Sequence, residues 1–187
     1  RKYTPPLGKE RAQEKLVQGM LPKATLLDII RSFVIFMDTG KQRVKVVPRY
    51  QQYRAVGKML ARMETGARPE ERSGVVWHTQ GSGKSFSMVF FAQKVLRKLA
   101  GNWTFVVVTD RVELDDQIAK TFKTTGAVSE AEGDACHAAS GAHLRELLRG
   151  NHRYVFTLVH KFQTPELLCD RSDVIVLTDE AHRSQYD

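Results

Sequence analysis

"GVVWHTQGSGKSFSMVFF", residues 74–91, holds the corner on which the fold turns. An apolar run, Gly74–His78, meets a glycine-serine-glycine turn, and Lys84 opens a segment that reads as a helix. Gly81 and Gly83 can take backbone angles closed to other residues, and they put no side chain in the way. With Ser82 between them, successive amides can turn inward as a concave anion cradle. The following helix aims its positive end at the same point. Lys84 supplies a mobile charge for the outer phosphates of a nucleotide, and the Ser85 hydroxyl suits Mg²⁺. The strict pattern, G-x-x-x-x-G-K-[ST], has glycine where this chain has His78, whose expected role is packing or hydrogen bonding. A glycine-rich strand–helix turn with a chance lysine is the alternative, and the rest of the chain must decide.

Outward from that corner the pattern alternates. Gly74–His78 is expected as a short strand and 84–99 as a helix. "WTFVVVT" (103–109) is expected as a strand and "RVELDDQIAKTF" (111–122) as a helix. A loop around "SEAEGDACHAAS" (129–140) leads into the helical "AHLRELLRG" (142–150). "YVFTLVH" (154–160) and "DVIVLTDE" (173–180) are two more buried strands. Continuous Val/Ile/Leu/Phe runs alternating with helices indicate an α/β domain, its parallel sheet covered on both faces. Ligands of such sheets bind beyond the C-terminal ends of the strands. Upstream, residues 1–24 read as a connector with room for one short helix, and 24–38 as a packed helix. Residues 41–47 read as a strand, 49–64 as a helix with Tyr53, Val56 and Leu60 on one face, and 65–73 as a loop. The expected division is 1–48, leading into the domain, and 49–187, the domain itself.

Length and composition set the bounds. The 187 residues are 42% hydrophobic and 27% charged, enough for one domain with a real core. No apolar run approaches the roughly 20 residues needed to cross a bilayer. The N-terminus has no apolar core like a signal peptide's and no initiator methionine, so a piece of a longer protein is expected. Cys136 and Cys169 match no metal spacing, which favours reduced thiols in a cytoplasmic protein. Lys and Arg outnumber Asp and Glu by 29 to 21, a formal charge of +8. That balance favours polyanionic partners, although solubility alone would also account for it.

A second constellation tips the balance. "VIVLTDEAH" ends a buried strand in Asp179 and Glu180. Adjacent carboxylates there are costly without a cation or a reactive water nearby. Asp179 would hold Mg²⁺, and Glu180 would polarise water for in-line attack on a γ-phosphate. A solvated acidic turn is the bland reading. Two halves of one site, each after a strand and in the expected order, favour a nucleoside triphosphatase instead.

"DEAH" after "GSGKS" resembles the superfamily 2 helicases and translocases. "VPRYQQYRAV", "VVWHTQGSGKS", "FVVVTDRVELDDQI", "YVFTLVHKFQ" and "VIVLTDEAHRSQYD" are similar to the serial motifs of the motor-and-nuclease subunit of type I restriction enzymes. The histidine that breaks the strict pattern is one this family carries. The resemblance covers most of the chain from about residue 20. It implies a RecA-like P-loop ATPase domain, the first of two in a motor that moves along duplex DNA using ATP and Mg²⁺. It further implies association with methyltransferase and specificity subunits, and no membrane. Gln52 would read adenine with its amide, a buried-face glutamine on a helix being the alternative, and His182 would relay the nucleotide state. Thr109, Arg111, Thr157 and Lys161 would line loops that touch the DNA backbone, with solvated surface charge as the alternative for Arg111 and Lys161. The motor's motif III, second domain and nuclease residues do not appear. The 187 residues alone are therefore expected to bind ATP–Mg²⁺ weakly and hydrolyse it poorly. Another superfamily 2 DNA or RNA helicase, a nucleotide-gated module that never hydrolyses, and a generic basic DNA-binding domain are the rival readings.

Overall fold

In the computed structural model, residues 12–79, 81–162 and 167–181 are described. Three parallel strands, β3 (Thr104–Thr109), β4 (Tyr154–Leu158) and β5 (Val174–Thr178), form the central sheet in the order β4-β3-β5. β3 is buried at every position, as its unbroken "TFVVVT" run requires of a strand with neighbours on both sides. Its partners lie in register, Val108 opposite Thr157 of β4 and opposite Thr178 of β5. A parallel pair cannot close with a tight turn, so the chain between β3 and β4 crosses over through helices. These are α6 (Val112–Thr124), α7 (Glu130–Ala135) and α8 (Gly141–Arg149), which follow α5 (Lys84–Lys98) in chain order.

Successive residues of a strand face opposite sides, and here they enter different cores. Phe105, Val107 and Phe156 join Phe90 and Phe91 of α5 with Ile118 and Phe122 of α6. Val106, Val108 and Val155 pack instead against Leu144, Leu147 and Leu148 of α8. β3 and β4 are therefore covered on both faces, whereas β5 is not the buried strand expected and leaves Val176 57% exposed at the edge of the sheet. Upstream lie α1 (Ala12–Met20), α2 (Lys23–Ser32), β1 (Ile35–Asp38), β2 (Arg43–Val46), α3 (Tyr50–Thr65) and α4 (Pro69–Arg72). Ile29, Phe33 and Ile35 enter the same core as Val56 and Leu60 of α3, the face expected for that helix.

Four other local expectations are corrected. The helix expected over 24–38 stops at Ser32, and Ile35–Asp38 pairs antiparallel with Arg43–Val46. A turn at Gly40 (φ +76°) makes this hairpin, with the Gly40 amide donating to Asp38 Oδ1 at 2.7 Å. The acidic segment expected as a loop forms α7. Ser129 caps it reciprocally, its hydroxyl 2.7 Å from Glu132 Oε2 and accepting from the Glu132 amide at 3.3 Å. Pro69–Arg72, within another expected loop, forms the single turn α4 with proline at its start. Gly74–His78 forms no strand: Val75 is 89% and Trp77 83% exposed. A strand exists only through its ladder, both sides of β3 are taken, and no described segment pairs with 74–78.

Candidate active site

Gly83 is the residue on which α5 starts. It adopts φ +83°, with Gly81 at +73°, the left-handed region that a side chain resists. The loop closes on itself where the Ser82 amide donates to Thr79 O at 3.2 Å. The Gly83 carbonyl accepts from the Ser87 amide at 3.2 Å and from Gln52 Nε2 at 2.9 Å. A methyl group on Gly83 would lie 2.9 Å from that Gln52 nitrogen, so only glycine fits this corner unchanged. Beyond it, Lys84 and Ser85 occupy the first turn of a 15-residue helix, whose leading amides have no acceptor within the helix.

Parallel pairing delivers the acids to the same place. The Asp179 amide donates to Val108 O at 2.9 Å, one step beyond the end of β5. Glu180 then takes φ +49°, a left-handed conformation costing about 1 kcal/mol for a residue with a Cβ. This bend carries its carboxylate back to Lys84, with Nζ 2.6 Å from Glu180 Oε1 and 4.0 Å from Asp179 Oδ1. Burial pushes the Asp179 carboxyl above its ordinary value, and the nearby Glu180 and Asp110 carboxylates add to the rise. The Lys84 charge and the Glu180 amide oppose it.

Asp110 is the member that the sequence did not assign to this site. It follows β3 as Asp179 follows β5, and adjacency of those strands puts both carboxylates in one field. Its Oδ1 is buried with no hydrogen-bond partner among the described residues, as is Ser82 Oγ within the loop. Buried polar atoms of this kind are uncommon. Together with the glycine cradle and the Lys84 ammonium, they fit a ligand rich in oxygens and its metal. Among the described residues no three His, Cys, Asp or Glu gather as a metal site. Mg²⁺ does not need one, since it binds through one or two protein oxygens plus phosphate and water.

The remaining candidates divide. Gln52, 5% exposed at the start of α3, meets the glycine loop directly at the Gly83 carbonyl. Thr109 and Thr157 stand at the C-terminal ends of β3 and β4, each 1% exposed. The Thr109 hydroxyl is 3.3 Å from Asp115 Oδ1, and Asp115 Oδ2 is 3.1 Å from His137 Nδ1, so Thr109 faces inward. The Thr157 hydroxyl has no partner among the described residues. The Lys161 ammonium donates to the Ala138 carbonyl. Arg111 keeps its side chain 59% exposed, with Nε 3.5 Å from Asp110 Oδ2. His182 lies outside the described residues.

The sequence profile of the SWI2/SNF2 ATPases matches residues 51–187, which include the loop, the acids and the sheet between them. The chain belongs to the SWI2/SNF2 ATPase family. One relative of this SWI2/SNF2 ATPase is the type I restriction enzyme HindI endonuclease subunit of Haemophilus influenzae, 38% identical over 92% of this chain and 17% of that protein. A second, in Methanocaldococcus jannaschii, is provisionally named the type I restriction enzyme MjaIXP endonuclease subunit and is 34% identical over 91% of this chain and 17% of its own length. The chain thus spans about 17% of these relatives. No described helix is long and apolar enough to cross a membrane.

Proposed function

We propose that this chain carries the first RecA-like domain of an ATP-driven translocase motor acting on duplex DNA. It would work in the cytoplasm, within a type I restriction assembly that includes methyltransferase and specificity subunits. One observation carries the reading: Lys84 and Glu180, 96 positions apart, meet at 2.6 Å where the phosphate loop faces the end of β5. A packed interior has no use for this pair, whereas triphosphate hydrolysis uses both members.

Each residue then has a task. The amides after Gly83 cradle phosphate oxygens, and Lys84 exchanges its carboxylate partner for the outer phosphates. That exchange releases Glu180 from Lys84 and lets it orient a water and accept its proton. Mg²⁺, held by the Ser85 hydroxyl and Asp179, would offset charge on the triphosphate. Asp110 keeps a third carboxylate beside Asp179, able to accept from water around the metal.

The test is nucleotide hydrolysis by the full-length polypeptide with duplex DNA, single-stranded RNA or neither. Stimulation by duplex DNA alone is expected, with Lys84→Ala losing nucleotide binding and Glu180→Gln binding ATP while hydrolysing it at least a hundredfold more slowly. Stimulation by RNA instead would turn the assignment to an RNA helicase. Wild-type protein that bound ATP without hydrolysing it, with Glu180→Gln behaving in the same way, would mean a nucleotide-gated module instead.

A further inference from the structure

We infer that His137 is a positioning residue for the metal side of the site: through Asp115 and Thr109 it fixes the point at which Asp110 leaves β3 beside Asp179. This rests on the proposed Mg²⁺ site at Asp179. Asp115 lies in the first turn of α6, only 7% exposed, and a carboxylate so enclosed is costly unless it is hydrogen-bonded. Its two oxygens are met from two distant parts of the chain. The Thr109 hydroxyl donates to Oδ1 at 3.3 Å, and His137 Nδ1 stands 3.1 Å from Oδ2. An ionised carboxylate only accepts, so Nδ1 carries the hydrogen, as it does in the imidazolium and in one neutral tautomer. The order of contacts excludes a nucleophilic triad, because the hydroxyl meets the carboxylate and not the imidazole. What the three groups can do is hold.

His137 can hold Asp115 because it is held itself. Its residue forms a parallel bridge with Phe156 at the outer edge of β4. The Phe156 amide donates to Cys136 O at 2.8 Å, and the Ala138 amide to Phe156 O at 2.9 Å. The imidazole stacks on the Phe156 ring, centroids 5.2 Å apart and planes at 22°. From β4 the side chain thus reaches the start of α6, and Asp115 of α6 reaches the end of β3. On the β5 side, the Asp179 amide donates to Val108 O at 2.9 Å. Residues 108 and 109 are therefore anchored from both flanks, and Asp110 is the next residue. Its Oδ1 is buried without a hydrogen-bond partner among the described residues. Its Oδ2 lies 3.5 Å from Arg111 Nε, beyond a good hydrogen bond. The aim of this carboxylate is set by the backbone that precedes it, and that backbone ends in Thr109.

Mn²⁺ binding to the full-length polypeptide with a non-hydrolysable ATP analogue, followed by electron paramagnetic resonance, tests this beside the Mg²⁺ dependence of hydrolysis. His137→Ala and Thr109→Val each cut one link. Both should weaken Mn²⁺ by about tenfold, the effect of losing a group that supports a metal's surroundings, and leave metal-free binding of the analogue unchanged. His137→Asn puts an amide N–H near the place of Nδ1 and should bind Mn²⁺ as wild type does. His137→Gln carries its amide farther out and should behave as His137→Ala. In an Asp110→Asn background, His137→Ala should add nothing to the loss. Unchanged Mn²⁺ affinity in His137→Ala and Thr109→Val, whatever their stability, would overturn the inference. So would an additive loss in the double variant, or wild-type Mn²⁺ affinity in Asp110→Asn, either of which leaves the triphosphate site standing. Should His137→Ala fail to fold, Thr109→Val and the contrast between Asn and Gln at 137 decide. Wild-type protein that bound Mn²⁺ no better with the analogue than without it, or a Lys84→Ala variant that bound the analogue as tightly as wild type, would instead remove the proposed site and this inference with it.

Discussion

Gly81 and Gly83 share a left-handed backbone but not surroundings. Among the described residues, a methyl group on Gly81 meets nothing within 4 Å, whereas one on Gly83 meets Gln52 Nε2 at 2.9 Å. Gly81→Ala should therefore cost only conformational strain, about 1 kcal/mol by chemical denaturation, with ATP–Mg²⁺ binding nearly intact. Gly83→Ala adds displacement of the Gln52 amide, and its ATP–Mg²⁺ affinity should fall at least tenfold. Equal binding losses in the two variants would contradict this. Asp179 gives a prediction with a sign. Its folded carboxyl titrates above the ordinary value because burial disfavours its charge. Its favourable contribution is thus fully present below the unfolded value and lost as pH rises through the elevated folded one. Asp179→Asn should match wild type in acid and exceed it at neutral pH, by about 1 kcal/mol or 2–4 °C in Tm, since Lys84 keeps Glu180 as its nearer partner. The same variant should lose Mg²⁺-dependent hydrolysis, as expected where function holds a destabilising charge in place. Thermal melts across pH would expose a flat or reversed difference.

Between elements, an ion pair joins α2 to α5. Lys94 Nζ lies 2.7 Å from Asp28 Oδ2, and 4.6 Å and 5.5 Å from the rings of Phe33 and Tyr53. Burial pushes the Asp28 carboxyl up, but Lys94, with the Tyr53 and Ser32 hydroxyls, carries it below its ordinary value. That contribution is present above the unfolded value and disappears as pH falls through the folded one. Lys94→Ala leaves Asp28 without its cation and should cost about 2 kcal/mol at neutral pH, less than a fully buried pair because Asp28 is 31% exposed. In acid the cost should shrink toward that of lost packing; urea denaturation at both pH values would show a constant cost if the pair were idle. Legibility followed locality. The glycines, Lys84 and the paired acids could be read because each constellation is continuous in the chain. The end of α2 could not, since "LLDIIRSFVIFMD" keeps helical spacing throughout, and Arg43–Val46 decides where the strand begins. Gly74–His78 has a strand's composition without a ladder partner. Asp110 reaches Asp179 only because β3 and β5 are neighbours, a nonlocal fact. α7 is different: "SEAE" is a capping-box sequence, legible but outweighed by its polar surroundings.

Over the whole molecule, the charge of +8 sets a general attraction for polyanions, and burial decides which charges take part. Thr109 and Thr157 are each 1% exposed and cannot meet a phosphate without movement of the sheet's C-terminal edge. Lys161 commits its ammonium to the Ala138 carbonyl, tying the turn after β4 to the chain ahead of α8. Arg111 lies at the same edge and projects into solvent. These placements separate two basic residues that look alike in the sequence. If DNA runs along the C-terminal ends of β3 and β4, Arg111 releases counterions on binding and Lys161 does not. Plotted as log affinity against log salt, Arg111→Ala should flatten the slope by about 0.9 and weaken binding alike for unrelated duplex sequences. Lys161→Ala should leave the slope unchanged and lower stability by about 1 kcal/mol, through loss of its bond to Ala138. Anisotropy titrations over a range of salt, paired with melts of the same proteins, read both quantities. Equal slope changes in the two variants would place Lys161 on the DNA after all, and an unchanged slope in Arg111→Ala would move the duplex to another face.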